Sequence, residues 1–400
     1  MSELPKNWLS ISTGTVFSQI STTKLKVKSK DTLDVGIYPV IDQGADFIAG
    51  YVDDEAKVIA VTKPLCIFGD HTRAIKWIDF DFVPGADGTK VLVPEVFLLP
   101  KFFYYQLRSL EIEDRGYSRH FKYLKATDFK VAPLNEQIRI ANKLDSILAK
   151  VDKAQARLDK IPAILKRFRQ SVLVAATSGE LTKEWREDND TSKVVIENLD
   201  TANDAYNIWE RTTKLERPAN WTYCKLSQTG RVQGGGTPRK SNSDYWDGDI
   251  PWVTPKDMKR DFINDSQLMV TKIGVSESSA KVIDSSSILF VVRGMILAHS
   301  FPVALNLRSV TVNQDMKCIT PAKFIDSKYL LYVLKSQKDL FVELASSSTH
   351  GTKRLEAKMY NNVAIPVCPI EEQAEIVRII EGLFAKASKV EKQYLDAKTR

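Results

Sequence analysis

The stretch Leu134-Asn135-Glu136-Gln137-Ile138-Arg139-Ile140 follows Pro133, and its pattern continues to Gln170-Ser171-Val172-Leu173-Val174-Ala175-Ala176. Apolar residues recur on a seven-residue register. Leu144, Val151, Leu158, Leu165 and Val172 occupy one position, and Ile140, Ile147, Ala154, Ile161, Phe168 and Ala175 the other. Such a seam is a coiled-coil signature, stronger than that of an ordinary amphipathic helix. At ~1.5 Å per residue the 43 residues from 134 to 176 would span roughly 65 Å. Pro162 removes one backbone donor and predicts a kink or split there. A seam needs a partner. Pro369-Ile370-Glu371-Glu372-Gln373 repeats Pro133-Leu134-Asn135-Glu136-Gln137 at an offset of 236 residues. At that offset Ile376, Ile380, Leu383, Ala387, Val390, Tyr394 and Ala397 fall on Ile140, Leu144, Ile147, Val151, Ala154, Leu158 and Ile161. A repeat of this kind precedes every other reading of a fold.

A second repeat marks the domain starts: Leu4-Pro5-Lys6-Asn7-Trp8 echoes Arg217-Pro218-Ala219-Asn220-Trp221. The order is globular domain (1–132), helix (133–176), polar connector (177–217), globular domain (218–367), helix (368–400). Both globular segments read as α+β. The first has strand-like runs at Val58–Val61, Leu65–Phe68 and Val91–Val93, turn signals at Pro84-Gly85 and Asp87-Gly88, and a helix over Phe97–Leu110. The second has runs at Ile288–Val292, Val303–Leu305 and Lys317–Ile319 and a helix over Tyr329–Leu344. Neither topology is readable from these runs.

Composition bounds the class. Four hundred residues supply two sizeable cores, and 27% charged with 43% hydrophobic residues describes a globular, soluble chain. No apolar run reaches membrane-spanning length and the N-terminus has no signal-peptide core, so a cytoplasmic location is expected. Cys66, Cys224, Cys318 and Cys368 form no C-x-x-C pair and read as free thiols. No histidine stands at metal-ligand spacing, so no metal site is expected. Residues 1–130 carry 17 basic and 17 acidic side chains, whereas residues 218–366 carry 19 and 13. That excess of positive charge is compatible with a polyanionic partner.

Gly234-Gly235-Gly236-Thr237-Pro238 would let backbone amides approach a phosphate, or would form a tight structural turn. No Lys-Ser/Thr follows at P-loop spacing, which argues against nucleotide binding. Arg231, Arg239 and Lys240 beside it, and Lys256 downstream, favour contact with a nucleic-acid backbone. In the first segment, Gly69-Asp70-His71-Thr72-Arg73 invites a catalytic reading, but no nucleophile accompanies it. The alternative is a turn presenting Arg73. As a base reader Arg73 would donate two bonds to guanine; as a structural residue it would pair with Asp70 or Asp79. Lys90 lies nearby, and Arg119-His120-Phe121-Lys122 and Lys353-Arg354 precede the two helices, where they would contact phosphates or form a solvated face. No amino-methyltransferase Asn-Pro-Pro-Phe/Tyr, Walker loop, zinc pattern or Gly-x-Ser-x-Gly elbow occurs, so no catalytic residue is assigned.

These features together resemble the DNA-specificity (S) subunits of type I restriction–modification systems. The likeness spans nearly the whole chain. It rests on the two Pro-x-x-Glu-Gln helix starts, the 170–182 segment Gln-Ser-Val-Leu-Val-Ala-Ala-Thr-Ser-Gly-Glu-Leu-Thr, Gly235-Gly236-Thr237-Pro238 with Ile250-Pro251-Trp252, and the run at 69–73. The resemblance implies two target recognition domains related by a pseudo-twofold, each reading one half of a bipartite, asymmetric sequence in double-stranded DNA. It implies an antiparallel coiled coil that sets the unread spacer, with Ile140, Leu144, Ile147, Val151, Leu158, Ile376, Ile380, Leu383, Val390 and Tyr394 in the coil and partner-docking seam. Two methyltransferase (M) subunits and endonuclease/translocase (R) subunits would join, carrying S-adenosylmethionine, ATP and Mg²⁺; this chain would bind no cofactor. At the 236-residue offset Arg400 corresponds to Ile164, so the distal helix lacks equivalents of Leu165–Leu181, through shortening or a differently closed repeat. Two further readings stand beside this one: a coiled-coil scaffold that binds only proteins, and an enzyme with an unrecognised site.

Overall fold

Pro133 and Pro369 both precede long helices, and a buried glutamine anchors each start. Gln137 Nε2 donates to the carbonyls of Ala132 (2.8 Å) and Phe97 (3.1 Å), and its Oε1 accepts the Leu99 N–H (2.8 Å). Gln373 repeats the set on Cys368 O (2.8 Å), Phe324 O (2.9 Å) and the Asp326 N–H (2.7 Å). Each carboxamide satisfies backbone groups that the fold removes from water, which is why a glutamine recurs there. The Trp repeat serves the same junctions. Trp8 Nε1 donates to Glu136 (3.0 Å) and Trp221 Nε1 to Glu372 (2.9 Å).

The computed structural model describes residues 4–85, 88–116, 118–189, 191–196, 217–347 and 352–398. The chain divides into two compact units, Met1–Arg157 and Leu158–Arg400. The boundary falls inside the segment 133–176 that the heptads mark as one rod. In the first unit, Leu9–Ser12 pairs antiparallel with Asp128–Val131. A four-stranded antiparallel sheet runs Phe17–Ile20, Thr89–Pro94, Leu65–Gly69, Ile75–Ile78. A smaller sheet runs Gly50–Val52, Tyr38–Ile41, Val83–Pro84, its last pair parallel. Leu65–Gly69 is buried at all five positions, so it reads as a continuous apolar run and not as an alternation. Helix α1 (Pro100–Ser109) lays Phe102, Phe103 and Leu107 on a core with Phe17, Phe68, Leu92 and Phe129. It starts later than Phe97 because Leu99, before a proline, takes an extended conformation. Helices α2 (Phe121–Ala126) and α3 (Leu134–Leu158) follow.

The second unit opens with α4 (Ile161–Ser178), which carries Pro162 in its first turn, where the missing N–H costs nothing. Pro162 therefore splits the heptad segment after Leu158 instead of kinking it. Gly179 (φ 82°) ends α4, and α5 covers Lys183–Asp188. The strands then repeat the first unit. Thr222–Lys225 pairs with Ala364–Val367. The main sheet runs Gly230–Gly234, Met316–Pro321, Ile288–Val291, Val303–Asn306, with Phe262–Ile263 added at its edge. The small sheet runs Met269–Val270, Trp246–Val253, Thr311–Val312, its last pair again parallel. A short ladder joins Ser346–Ser347 to Lys353–Arg354. The helices are α6 (Lys272–Ser276), α7 (Ser327–Ser336), α8 (Lys338–Leu344), α9 (Ala357–Tyr360) and α10 (Ile370–Lys398). α10 packs antiparallel on α4, joined by Arg169–Glu391 (2.7 Å) near one end and by Arg186–Glu372 (2.6 Å), just past α4, near the other.

Several readings change. Val58–Val61 is not a strand: Ile59 makes one isolated bridge to Phe82, while the Asp81 side chain takes the Val61 N–H. The Tyr329–Leu344 helix is two helices, capped at Asp326 and interrupted at Gln337, whose Nε2 donates to Ala364 O. The Asp87 turn signal lies outside the described residues. Among the described residues no helix is long and apolar enough to cross a membrane, and no group of three or more His, Cys, Asp or Glu could hold a metal ion. All four cysteines are buried and free, as their spacing suggests.

Candidate nucleic-acid interface

In the second unit the parallel strands Trp246–Val253 and Thr311–Val312 end side by side, Val253 against Val312. An open cleft of about 750 Å³ lies at these ends. Thr237, Lys240, Lys256, Gln267, Arg293 and Gln314 are among its walls. The indole of Trp252 donates to Gly236 O (2.9 Å) and so ties the glycine loop to the strand end. A Cβ on Gly235 would meet Val312 O at 2.1 Å, and one on Gly236 would meet Ser279 at 2.3 Å. The three-glycine motif is thus a close backbone crossing. The Gly236 N–H is already spent on Val312 O (2.9 Å).

The acids in the cleft are engaged. Asp257 accepts from the N–H and hydroxyl of Thr254 and from Gln267 N–H. Asp315 faces Arg293 (3.6 Å) and Asn313 Nδ2 (3.2 Å). Lys240 and Lys256 are exposed. A carboxylate committed to local partners repels an incoming phosphate less than a bare one, so the rim favours an anion.

The proposed basic residues divide accordingly. Thr237, Lys240 and Lys256 line the cleft, and Arg239 is exposed next to Lys240. Lys353 and Arg354 join its edge through backbone: Gly294 N–H donates to Lys353 O (3.0 Å), and Arg293 bridges Arg354. Arg231 does not belong to the cleft. It pairs with Thr320, toward the far end of its strand, and faces Asp284 at 3.8 Å.

The first unit places different chemistry at the same point. Gly85 N–H donates to Ile41 O (2.8 Å), as Asn313 N–H does to Val253 O (3.1 Å). Around it Gln43 Oε1 accepts His71 N–H (2.9 Å), and the Thr72 hydroxyl donates to Gln43 O (2.6 Å). Asp70 is buried, accepts Phe121 N–H (2.8 Å) and faces Lys90 (3.6 Å). Asp70 and Thr72 are therefore structural, which removes the catalytic reading of Asp-His-Thr. Arg73 sits in the left-handed region (φ 60°) and pairs with Asp114 (2.6 Å) and Ile112 O (2.9 Å). Neither expected partner holds it, because Asp70 faces Lys90 and Asp79 accepts from Trp77 Nε1. Arg119 and Lys122 are exposed. Lys122, and behind it Arg115, hold the Tyr123 phenol below its ordinary value.

Of the seam residues, Ile140 packs against the first core. Ile376 and Ile380 are fully buried in the second core with Val172, Leu173 and Ala176 of α4, and Leu383 packs against it. Leu144 and Leu158 are half-buried, Ile147, Val151 and Val390 exposed, and Tyr394 buried. Sequence reading missed Arg293, Asn313 and Gln314. They flank strands too short or too buried to mark their ends.

The family model described as "Type I restriction modification DNA specificity domain" matches residues 218–397. The specificity subunit of the Escherichia coli type I restriction enzyme EcoR124I/EcoR124II is 30% identical over 378 residues, 94% of this chain and 85% of that one. The Escherichia coli EcoDI specificity subunit is 27% identical over 410 residues, 100% of this chain and 86% of that one. Among solved structures, the HsdS subunit from Thermoanaerobacter tengcongensis shares the fold, with a TM-score of 0.58 at 16% identity over 98% of this chain and 93% of that one. The chain belongs to the specificity subunits of type I restriction–modification enzymes, whose part is DNA recognition and not catalysis.

Proposed function

We propose that the two units read the two halves of one bipartite DNA target through the loops at the ends of their parallel strand pairs. One observation carries this. The units share strand order, the Trp–Glu bond and the glutamine anchor, yet hold different side chains at the equivalent loops: Gln43 and Asp70–Arg73 in one, Lys256, Arg293 and Gln314 in the other. A common frame whose loops carry different chemistry suits an asymmetric target. Recognition domains at 1–132 and 218–367, a connector at 177–217, and an antiparallel coiled coil built from 133–176 and 368–400 would place the readers on successive major grooves, roughly 34 Å apart. The family supports double-stranded DNA, methyltransferase and endonuclease/translocase subunits as partners. Two methyltransferase subunits on the pseudo-twofold frame would bring S-adenosylmethionine, and the translocase ATP and Mg²⁺.

Methylome sequencing of cells with the partner methyltransferase, with and without this chain, tests the reading. A bipartite methylated motif that vanishes with the chain is expected. An unchanged methylome despite an assembled complex would leave a protein-binding scaffold.

A further inference from the structure

We propose that Gln314 is a base-reading side chain of the second unit and that it reads an adenine in the major groove. The assignment rests on that unit being a DNA reader.

Gln314 sits at the tip of a fixed turn. Met316 N–H closes the turn on Asn313 O (3.2 Å), and the Asn313 side chain accepts Asp315 N–H (3.1 Å). Asp315 O in turn accepts the N–H groups of Val292 (2.8 Å) and Arg293 (3.2 Å), so the turn is stitched to the central strand of the sheet. Gln314 is nonetheless exposed, at the wall of the cleft. The Thr237 hydroxyl donates to its Oε1. That bond orients the carboxamide plane and leaves Oε1 a second lone pair. No hydrogen bond among the described residues engages the two Nε2 donors.

A carboxamide with one acceptor and one donor presented side by side matches adenine N6–H and N7. Orientation before binding also reduces the side-chain entropy lost on contact. At the corresponding loops of the first unit the Gln43 side chain accepts the His71 N–H (2.9 Å), and its backbone carbonyl accepts the Thr72 hydroxyl (2.6 Å). In sequence the segment after Gly85 is Ala86-Asp87-Gly88, which has no carboxamide. The Thr237–Gln314 pair therefore gives the second unit a reader that the first lacks. Lys240 and Lys256 on the rim supply sequence-blind phosphate contacts.

The test uses the assembled complex with its methyltransferase partner and duplexes carrying the motif from the wild-type methylome. Every base pair of each half-site is changed singly. Gln314→Ala should flatten discrimination at one A·T pair of the second half-site, by roughly 5- to 150-fold, and leave the first half-site unchanged. Thr237→Val, which keeps the glutamine but frees it, should give a smaller loss at that same pair. Lys256→Ala should weaken all duplexes alike and lower the salt dependence by about one phosphate contact. Discrimination retained at every pair in Gln314→Ala, or a uniform loss across all duplexes, would overturn the assignment, as would Thr237→Val acting at a different pair. Failure of the underlying reading looks different: exchange of residues 218–367 would then leave the second half-site unaltered.

Discussion

The Trp221 indole donates to the Glu372 carboxylate at 2.9 Å in the interior of the second unit, and Glu372 has no solvent exposure. The same carboxylate accepts the Thr182 hydroxyl (2.7 Å) and pairs with Arg186 at 2.6 Å. In the first unit Trp8 donates to Glu136, whose other partner is the helical neighbour Arg139 at 3.3 Å, an exposed arginine. One architectural bond is thus buried and charge-paired in one unit and half-open in the other.

Arg186→Met should therefore destabilise the second unit by about 3–5 kcal/mol, because it strands a buried carboxylate. Arg139→Met should change the first unit by less than about 1 kcal/mol, as expected of an exposed pair. Urea unfolding of the full chain, followed by tryptophan emission, measures both. Equal small effects would show that Glu372 does not depend on Arg186.

Gln137→Leu and Gln373→Leu should each cost on the order of 2–3 kcal/mol, since each strands two carbonyls and one N–H away from water. Amide exchange should locate the damage. In Gln373→Leu the Asp326 amide and the start of α7 lose protection, and in Gln137→Leu the Leu99 amide and the start of α1. Protection kept at both amides would contradict the anchoring role.

The four thiols should resist alkylation. Burial pushes Cys224 up to about 12 and Cys318 up to about 11, and raises Cys66 and Cys368 well above the ordinary thiol value. The nucleophilic thiolate is thus scarce at neutral pH, besides being inaccessible. Mass spectrometry after iodoacetamide at pH 7.5 should find no adducts in the native chain and four in denaturant. Rapid native labelling of any one cysteine would place it outside the core.

One heptad inserted in α3 beyond Leu144 and another in α10 beyond Tyr394, past the Arg169–Glu391 pair, should lengthen the unread spacer and keep both half-sites. The rise of ~1.5 Å per residue gives about 10 Å, or roughly three base pairs. The insertions must avoid α4 and the start of α10, because Val172, Leu173, Ile376 and Ile380 belong to the second core. Altered bases in the methylated motif would show that the helices do not act as a ruler.

The sequence pattern reached the frame better than the readers, for a physical reason. Pro133, Glu136 and Gln137, and their counterparts at 369, 372 and 373, each perform a task that few residue types can perform, so they recur at a constant offset. The Trp8 and Trp221 repeats are legible for the same cause, although sequence treats them as domain starts and the structure shows them as the other half of the helix-start bonds. The heptads were legible as helix but not as one rod. The period and the split at Pro162 are local and were readable, whereas the docking of α4 on the second core is tertiary and was not. Gln314 was not legible because Thr311–Val312 is too short to show a period and is ordered by strands distant in sequence.

The most direct test of the two-reader account is the methylome of cells in which residues 218–367 are exchanged for the corresponding domain of another specificity subunit, with the partner methyltransferase unchanged. The account predicts a motif with one half-site replaced, the other retained and the spacer length kept. A motif in which both half-sites change together would contradict it.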